Sequence, residues 1–253
     1  MNTLPSLIKR FVHRGLEKLG YRLVRLEGRP GAADPLSQCF SLLKRQGFNP
    51  RHVIDVGANH GNWTRTAARF FPDAQYTLIE PQEFVKKFIQ DLVDSGYKIQ
   101  WITAGAGDAP GQLPLTLSSR DDSSTFDWTE EEARRAGLRQ ILVEVKTLNE
   151  IVRCAGLPAD MVKIDAEGLD LRVLAGASEL FGHTEIFLVE VNIYDTHREN
   201  AVQPVIQFMN EKGYRLMEIT DLNRSPKYGL LWLCEMAFLK NSSTLLNSIT
   251  SYE

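Results

Sequence analysis

Several things are scarce in this 253-residue chain, and each scarcity narrows what it can be. There are only three cysteines, Cys39, Cys154 and Cys234, widely separated and without a C-x-x-C pair. That places a disulfide framework, a metal site and a thiol nucleophile below the plainer reading of small buried residues in a reducing cytoplasm. No apolar run approaches the ~20 residues that cross a bilayer. Lys9, Arg10 and Arg14 break up the start of the chain, where a signal peptide would need an uninterrupted apolar core. Both observations lead us to expect a cytoplasmic protein. Positive charge is not in excess either: the net charge is −3, which gives no reason to expect nucleic acid as the main partner. Internal repeats and low-complexity tracts are absent, and so is the dinucleotide fingerprint G-x-G-x-x-G.

What remains is the composition of an ordinary globular protein, 43% hydrophobic and 24% charged. The length suits one large domain, or one domain with an appendage. The chain is organised around residues 53–63, Val-Ile-Asp-Val-Gly-Ala-Asn-His-Gly-Asn-Trp. Val53, Ile54 and Val56 are the β-branched residues of a strand buried on both faces. Gly57 and Gly61 bracket a tight turn where backbone can approach a ligand. Trp63, Ala67 and Phe70 then recur at helical spacing. Strand, glycine turn and helix is how an open α/β sheet holds a nucleotide-like cofactor at the carboxyl ends of its strands. Glu80 closes a second strand 19 positions after Gly61, where an acid can accept both hydroxyls of a ribose.

Around this centre the pattern alternates. Residues 1–29 form a basic amphipathic segment, with Lys9, Arg10, Arg14, Lys18, Arg22, Arg25 and Arg29 beside an apolar stripe of Leu4, Leu7, Ile8, Phe11, Leu16 and Leu19. Such a segment can pack on its own domain, join a homodimer or make a peripheral membrane contact. A helix over Pro35–Gly47 leads into the motif strand. Strand 76–80, a helix around 82–94 and strand 98–103 follow, as a mostly parallel sheet requires. Residues 104–108, Ala-Gly-Ala-Gly-Asp, read as a small-residue turn where an adenine ring can lie against backbone, which makes Gly107 and Asp108 candidates. Leu113, Leu115 and Leu117 alternate as a short extra strand, Arg120–Phe126 is a polar loop, and Trp128–Gly137 is a charged helix. Thr147 is placed to cap the helix after strand 141–145. Strands 161–165 and 187–192 end in acids, and a strand pair, 214–219 and 230–239, closes the domain. Residues 241–253 read as a polar, frayed tail.

Two blocks together carry a resemblance. The turn Val-Ile-Asp-Val-Gly-Ala-Asn-His-Gly resembles motif I of Rossmann-like S-adenosylmethionine-dependent methyltransferases, in the form found in the FkbM family. Lys163-Ile164-Asp165-Ala166-Glu167-Gly168 resembles the K-I-D-x-E-G signature of the same family. The resemblance covers about residues 50–240. It implies an α/β fold: a Rossmann-like methyltransferase sheet of seven mostly parallel strands with an antiparallel C-terminal strand, plus an N-terminal helical extension. On this reading residues 1–48 are the extension, 49–240 the catalytic domain and 241–253 a tail. It implies S-adenosylmethionine as methyl donor, held by Asp55, Gly57, Asn59, His60, Gly61, Glu80, Gly107, Asp108 and Asp165. It also implies a sugar, glycan or secondary-metabolite hydroxyl as acceptor, with Asp165 nearest the methyl-bearing end of the donor.

Methyl transfer from a sulfonium needs alignment above all, and an alcohol acceptor gains from a general base. Asp165, Glu167 and Glu190 sit where strand ends converge. His197, on the loop after the fifth parallel strand, is a further proton acceptor. The catalytic candidates are therefore Asp165, Glu167, Glu190 and His197. Competing readings stand beside them. Asp165 or Glu167 can cap the following helix, and the same oxygens suit a divalent metal, although nothing in the sequence requires one. The loops 118–128, 193–200 and 221–228 would select the acceptor. Rival functions are an N-methyltransferase acting on an amine or amide and a non-catalytic nucleotide-binding scaffold.

Overall fold

The computed structural model describes residues 34–118 and 124–251. The basic segment 1–29 and the dimer or membrane contact expected of it lie outside the described residues, as do 119–123 of the polar loop. The compact unit spans Asp34–Glu253. Helix α1, Pro35–Arg45, belongs to it. Asp34 caps α1 by accepting from the Ser37 amide at 2.8 Å, with Pro35 in the first turn where its missing N–H costs nothing. Phe40 and Leu43 are its fully buried face.

The central sheet has seven strands. In chain order these are β1 His52–Val56, β2 Gln75–Ile79, β3 Lys98–Ile102, β7 Met161–Ile164, β8 Ile186–Asn192, β9 Tyr214–Arg224 and β10 Leu231–Lys240. They lie side by side as β3-β2-β1-β7-β8-β10-β9. β10 is antiparallel to both neighbours and enters between β8 and β9. Three further strands, β4 Gly105–Ala106, β5 Gly111–Leu117 and β6 Arg139–Lys146, make a small second sheet in the order β4-β6-β5.

Alternation along the buried strands supplies two cores, one on each face of the central sheet. Ile54, Val56, Val162, Ile164, Phe187 and Val189 pack against α5 (Leu148–Ala155), α6 (Asp170–Ala175) and α7 (Val202–Glu211). Val53, Met161, Ile186 and Leu188 pack against α1 and α2 (Asn62–Phe70). The order β3-β2-β1-β7 reverses the direction of strand addition at β1, which is where an open α/β sheet forms its crevice. No described helix is long and apolar enough to cross a membrane.

Local chemistry explains most boundaries. Thr147 and Glu150 form a reciprocal capping box at the start of α5, and Thr129 and Glu132 do the same for α4 (Glu130–Arg135). Three expectations are corrected. The helix around 82–94 is a 3₁₀ segment, Glu83–Ile89, followed by a single short α3, Gln90–Asp94. There the Phe88 carbonyl accepts from the Arg65 guanidinium. The turn at 104–108 is partly strand, because β4 pairs with Val145 and Lys146 of β6. The tail is packed through Leu246: Leu245 and Leu246 rest on the second core, and Ser248 Oγ donates to Gln46 Oε1 at 2.6 Å.

Candidate active site

A cavity of about 430 Å³ opens at the carboxyl ends of the central strands. Its first wall is the turn after β1. The Gly57 and Ala58 amides donate to the Ile79 carbonyl of β2 at 2.9 and 3.2 Å, which folds the turn toward the neighbouring strand end. Gly57 has φ +70°, and a Cβ there would collide with the Asp165 carbonyl oxygen. Only glycine satisfies both conditions. Asn59 is also left-handed, with φ +43°. Its side-chain oxygen accepts from the His60 amide at 2.7 Å, while the His60 ring packs 4.2 Å from Phe88.

Glu80 forms the second wall. It is 3% exposed, and its carboxylate accepts from the Asn59 amide at 3.0 Å and the Gln82 amide at 2.9 Å. Burial pushes its pKa up, and those two amides, with the more distant Lys163 charge, pull it back. The acid is therefore aimed by the backbone of both strand ends. Ala104, Gly105 and Ala106 line the adjoining wall with small side chains. Phe126 and Ser124 close over it, and Ser124 Oγ donates to Gln82 Oε1 at 3.2 Å.

The third wall is the turn after β7. Lys163 is 5% exposed and fills the space between the two signature blocks. Its ammonium lies 3.3 Å from both Asp55 and Asp165 and donates to the Val56 and Gly57 carbonyls at 3.2 and 3.1 Å. Burial opposes its charge, but Asp165 and then Asp55 outweigh burial and raise its pKa. Asp170 is fully buried; it accepts from the Ala166 amide at 2.8 Å and from Asn200 at 2.9 Å, which fixes the Asp165–Gly168 turn. Burial, with help from Asp165, pushes Asp170 up to about 6. No side chain caps α6, so the capping reading of Asp165 and Glu167 does not describe this turn. Glu167 instead carries a left-handed backbone, φ +51°, at the cavity wall. Glu190, on β8, faces the same space. Burial first, then Asp165, Asp170 and Glu167, raise its pKa well above the ordinary value.

The structure thus brings Gly57, Asn59, His60, Glu80, Asp165, Glu167 and Glu190 to one cavity. Asp55 and Gly61 stand behind the wall. Asp55 is fully buried and accepts from Thr64 Oγ1 at 2.5 Å, and a Cβ on Gly61 would press on Ile89. Both shape the turn rather than touch the space. Gly107 and Asp108 lie outside it, because β4 carries the chain away along β6 and Asp108 pairs with Arg172 at 2.8 Å. His197 lies in a separate shallow hollow with Asp195, Arg198 and Asn200. The Asn192–Asn200 and Asn200–Asp170 hydrogen bonds curl that loop over the start of α6 and away from the carboxylates.

Sequence reasoning passed over Lys163, Asp170, Trp63, Thr220 and Glu235. The first stood inside the signature block and the second two positions past it, where a cation and an acid in otherwise buried surroundings signal pairing. The last two sit on β9 and β10, and their arrival at the cavity depends on the strand insertion.

A mostly parallel seven-stranded sheet with one inserted antiparallel strand, a glycine turn against an acid-ended second strand and carboxylates lining the same cavity define an S-adenosylmethionine-dependent methyltransferase. Residues 55–216 match the Methyltransferase FkbM domain, and the chain belongs to the FkbM family. It is similar to the methyltransferase sdnD of Sordaria araneosa, 27% identical over 192 residues that cover 64% of this chain and 73% of sdnD. Among solved structures it is similar to the cofactor-bound Rv0187 from MTB, at 15% identity and TM-score 0.48 over 96% of this chain and 100% of that one. It is also similar to the 1,6-didemethyltoxoflavin-N1-methyltransferase of Burkholderia thailandensis, at 14% identity and TM-score 0.46 over 96% and 93%.

Proposed function

We propose that the protein transfers a methyl group from S-adenosylmethionine to a hydroxyl oxygen of a sugar, glycan or secondary metabolite. The observation that carries this reading is the continuity of one cavity from the Gly57–Glu80 wall to Asp165, Glu167 and Glu190. The residues fit the donor. The Gly57 turn lies against the Asp165 carbonyl, where a Cβ would collide, and the Glu80 carboxylate, whose Oε1 accepts from the Gln82 amide and side chain and whose Oε2 accepts from the Asn59 amide, keeps a lone pair on Oε2 for a ribose hydroxyl. The donor supplies an activated methyl on a positive sulfur. The chain's own part is to align the acceptor and take its proton. Glu190 suits that step: among the described residues no hydrogen bond reaches its carboxylate, and its raised pKa makes it a stronger base than a solvated acid. A neutral amine is nucleophilic without such help, so the three carboxylates favour a hydroxyl over an amine acceptor.

Calorimetric titration of wild type and Glu80→Ala with S-adenosylmethionine, S-adenosylhomocysteine and NAD tests the donor side. Wild type is expected to bind the first two and not NAD. Glu80→Ala is expected to weaken both about 10- to 100-fold, in keeping with the loss of a charge-assisted hydrogen bond of ~1.5–3 kcal/mol. Binding of NAD in place of the sulfur compounds would overturn the reading. A screen of sugars and glycosylated metabolites with Glu190→Gln as control tests the acceptor side.

A further inference from the structure

The donor reading uses the ends of β2, β1 and β7, yet the cavity runs on past them. Its lining continues onto β8, β10 and β9, which are successive neighbours in the sheet. Neighbouring strands lie about 4.8 Å apart, so the three steps from β7 to β9 carry the wall about 14 Å beyond Asp165. Helix α1 packs against β9 and brings Asp34 and Leu36 to the same far end. Those two residues precede the family-matched segment 55–216, and the lining residues of β9 and β10 follow it.

The far end has a buried floor and an open rim. On the floor, Glu235 is 8% exposed and Thr220 1%, and Thr220 donates its hydroxyl to Glu235 Oε1 at 2.6 Å. The buried indole Nε1 of Trp63, on α2, faces the same carboxyl without a completed hydrogen bond, so the floor holds a donor that still lacks its partner. At the rim, Asp221 and Asn223 are exposed. The Leu222 amide donates to Asp221 Oδ1 at 2.8 Å. Asp221 Oδ2 and the Asn223 side-chain amide have no hydrogen-bond partner among the described residues.

The chemistry of the lining narrows the occupant. Lys163 is the one lysine or arginine among the described lining residues, and Asp55, Asp165 and two carbonyls already engage it. A phosphate or carboxylate at the far end would therefore meet acids and no uncommitted cation. Burial raises the pKa of Glu190, and it pushes Glu235 up to about 7 against the pull of the Thr220 hydroxyl and Lys163. Carboxyls held toward their uncharged form donate as well as accept, which suits hydroxyls better than an ammonium group.

We propose that the α1–β10–β9 end of the cavity is the acceptor subsite, that it takes an uncharged group rich in hydroxyls, and that Asp221, Asn223 and Glu235 select it. The inference rests on the proposed methyl transfer, which puts the donor on the Gly57–Glu80 wall. Hydroxyls of the acceptor bind Asp221 and Asn223 at the rim and Glu235 on the floor, and the hydroxyl to be methylated faces Glu190 between the two ends.

The test is saturation-transfer NMR on the full chain in the presence of S-adenosylhomocysteine, with a methyl hexoside, a hexose 6-phosphate and a hexosamine as probes. Saturation is expected to reach the hexoside and not the phosphate. Asp221→Ala and Asn223→Ala change exposed side chains, and Glu235→Gln keeps the shape of the floor. Each is expected to weaken hexoside binding about 3- to 10-fold, the effect of one lost hydrogen bond, and to leave S-adenosylhomocysteine affinity unchanged. Hexoside binding unmoved by all three substitutions overturns the subsite. Phosphate binding equal to that of the hexoside overturns it too, as does the absence of hexoside binding in a chain that binds S-adenosylhomocysteine. A hexosamine signal stronger than the hexoside's, and weakened by salt, overturns the uncharged class in favour of a cationic acceptor. Failure of wild type to bind S-adenosylhomocysteine is a different result, since it removes the donor site and the subsite with it.

Discussion

Lys163 shows how one side chain binds two sequence motifs into one site. It links Asp55 of the first block to Asp165 of the second and holds two carbonyls of the glycine turn. Replacing it by methionine leaves Asp55 buried with, among the described residues, only the Thr64 hydroxyl as partner, and breaking a buried pair in this way costs ~3–5 kcal/mol. Lys163→Met should therefore lower the unfolding free energy of the full chain, read from urea denaturation, by that amount, and a drop under ~1 kcal/mol would mean that the site relaxes around the missing charge. The motifs gave the identity of Gly57, Glu80 and Asp165 because their spacing is local to strand ends. Lys163 was visible in the same block, but its role was not. A lysine in a strand reads as an edge or surface residue until the neighbouring strand is known.

Among the elements, α1 has a larger part than its sequence reveals. Phe40 is fully buried, with its ring 5.4 Å from Trp63, 5.9 Å from Phe70 and 5.5 Å from Phe71, all in or beside α2. Asp34 and Leu36 at the start of the same helix line the cavity. The helix thus ties the second core to the mouth of the site. Phe40→Ala should cost ~3–5 kcal/mol in denaturant unfolding. It should also weaken S-adenosylhomocysteine binding, since Trp63 loses its edge contact; unchanged binding in a destabilised but folded variant would confine Phe40 to packing. Helix periodicity identified α1 correctly. The resemblance counts it with the extension, because the matched pattern starts only near residue 50, and a helix's own periodicity cannot say which neighbour it packs against.

At the scale of the whole molecule, the buried acids make stability depend on pH in an unusual direction. Asp170 at about 6 and Glu235 at about 7 each bind a proton more tightly in the folded chain than in the unfolded one. The stability they lend is complete below about pH 4 and is lost as pH rises through about 6 and then about 7. Asp170 is fully buried and Glu235 nearly so, and the loss is on the order of 3 kcal/mol at its limit. Thermal unfolding of the ligand-free chain should therefore show a lower midpoint at pH 7.5 than at pH 5.5. Glu235→Gln should flatten the upper part of that slope, and a midpoint that rises across the window would contradict the burial argument for both acids. A site that stores this much unfavourable charge resembles other functional sites in giving up stability for chemistry.

Local sequence was enough to specify the parallel sheet, the glycine turn and the acid that ends the second strand. It also determined the strand-end carboxylates, because each follows from residue types at short spacing within one strand–turn–helix unit. The cap at Thr147 follows for the same reason. Tertiary structure decided which strand ends share a cavity. It turned His197 into a neighbouring hollow, moved Asp108 onto Arg172 and folded the tail onto the core. It also set Glu235 opposite Glu190, a meeting of residues 45 positions apart. Strand order and register are properties of pairing across the sheet, and no periodicity along one strand encodes its neighbour.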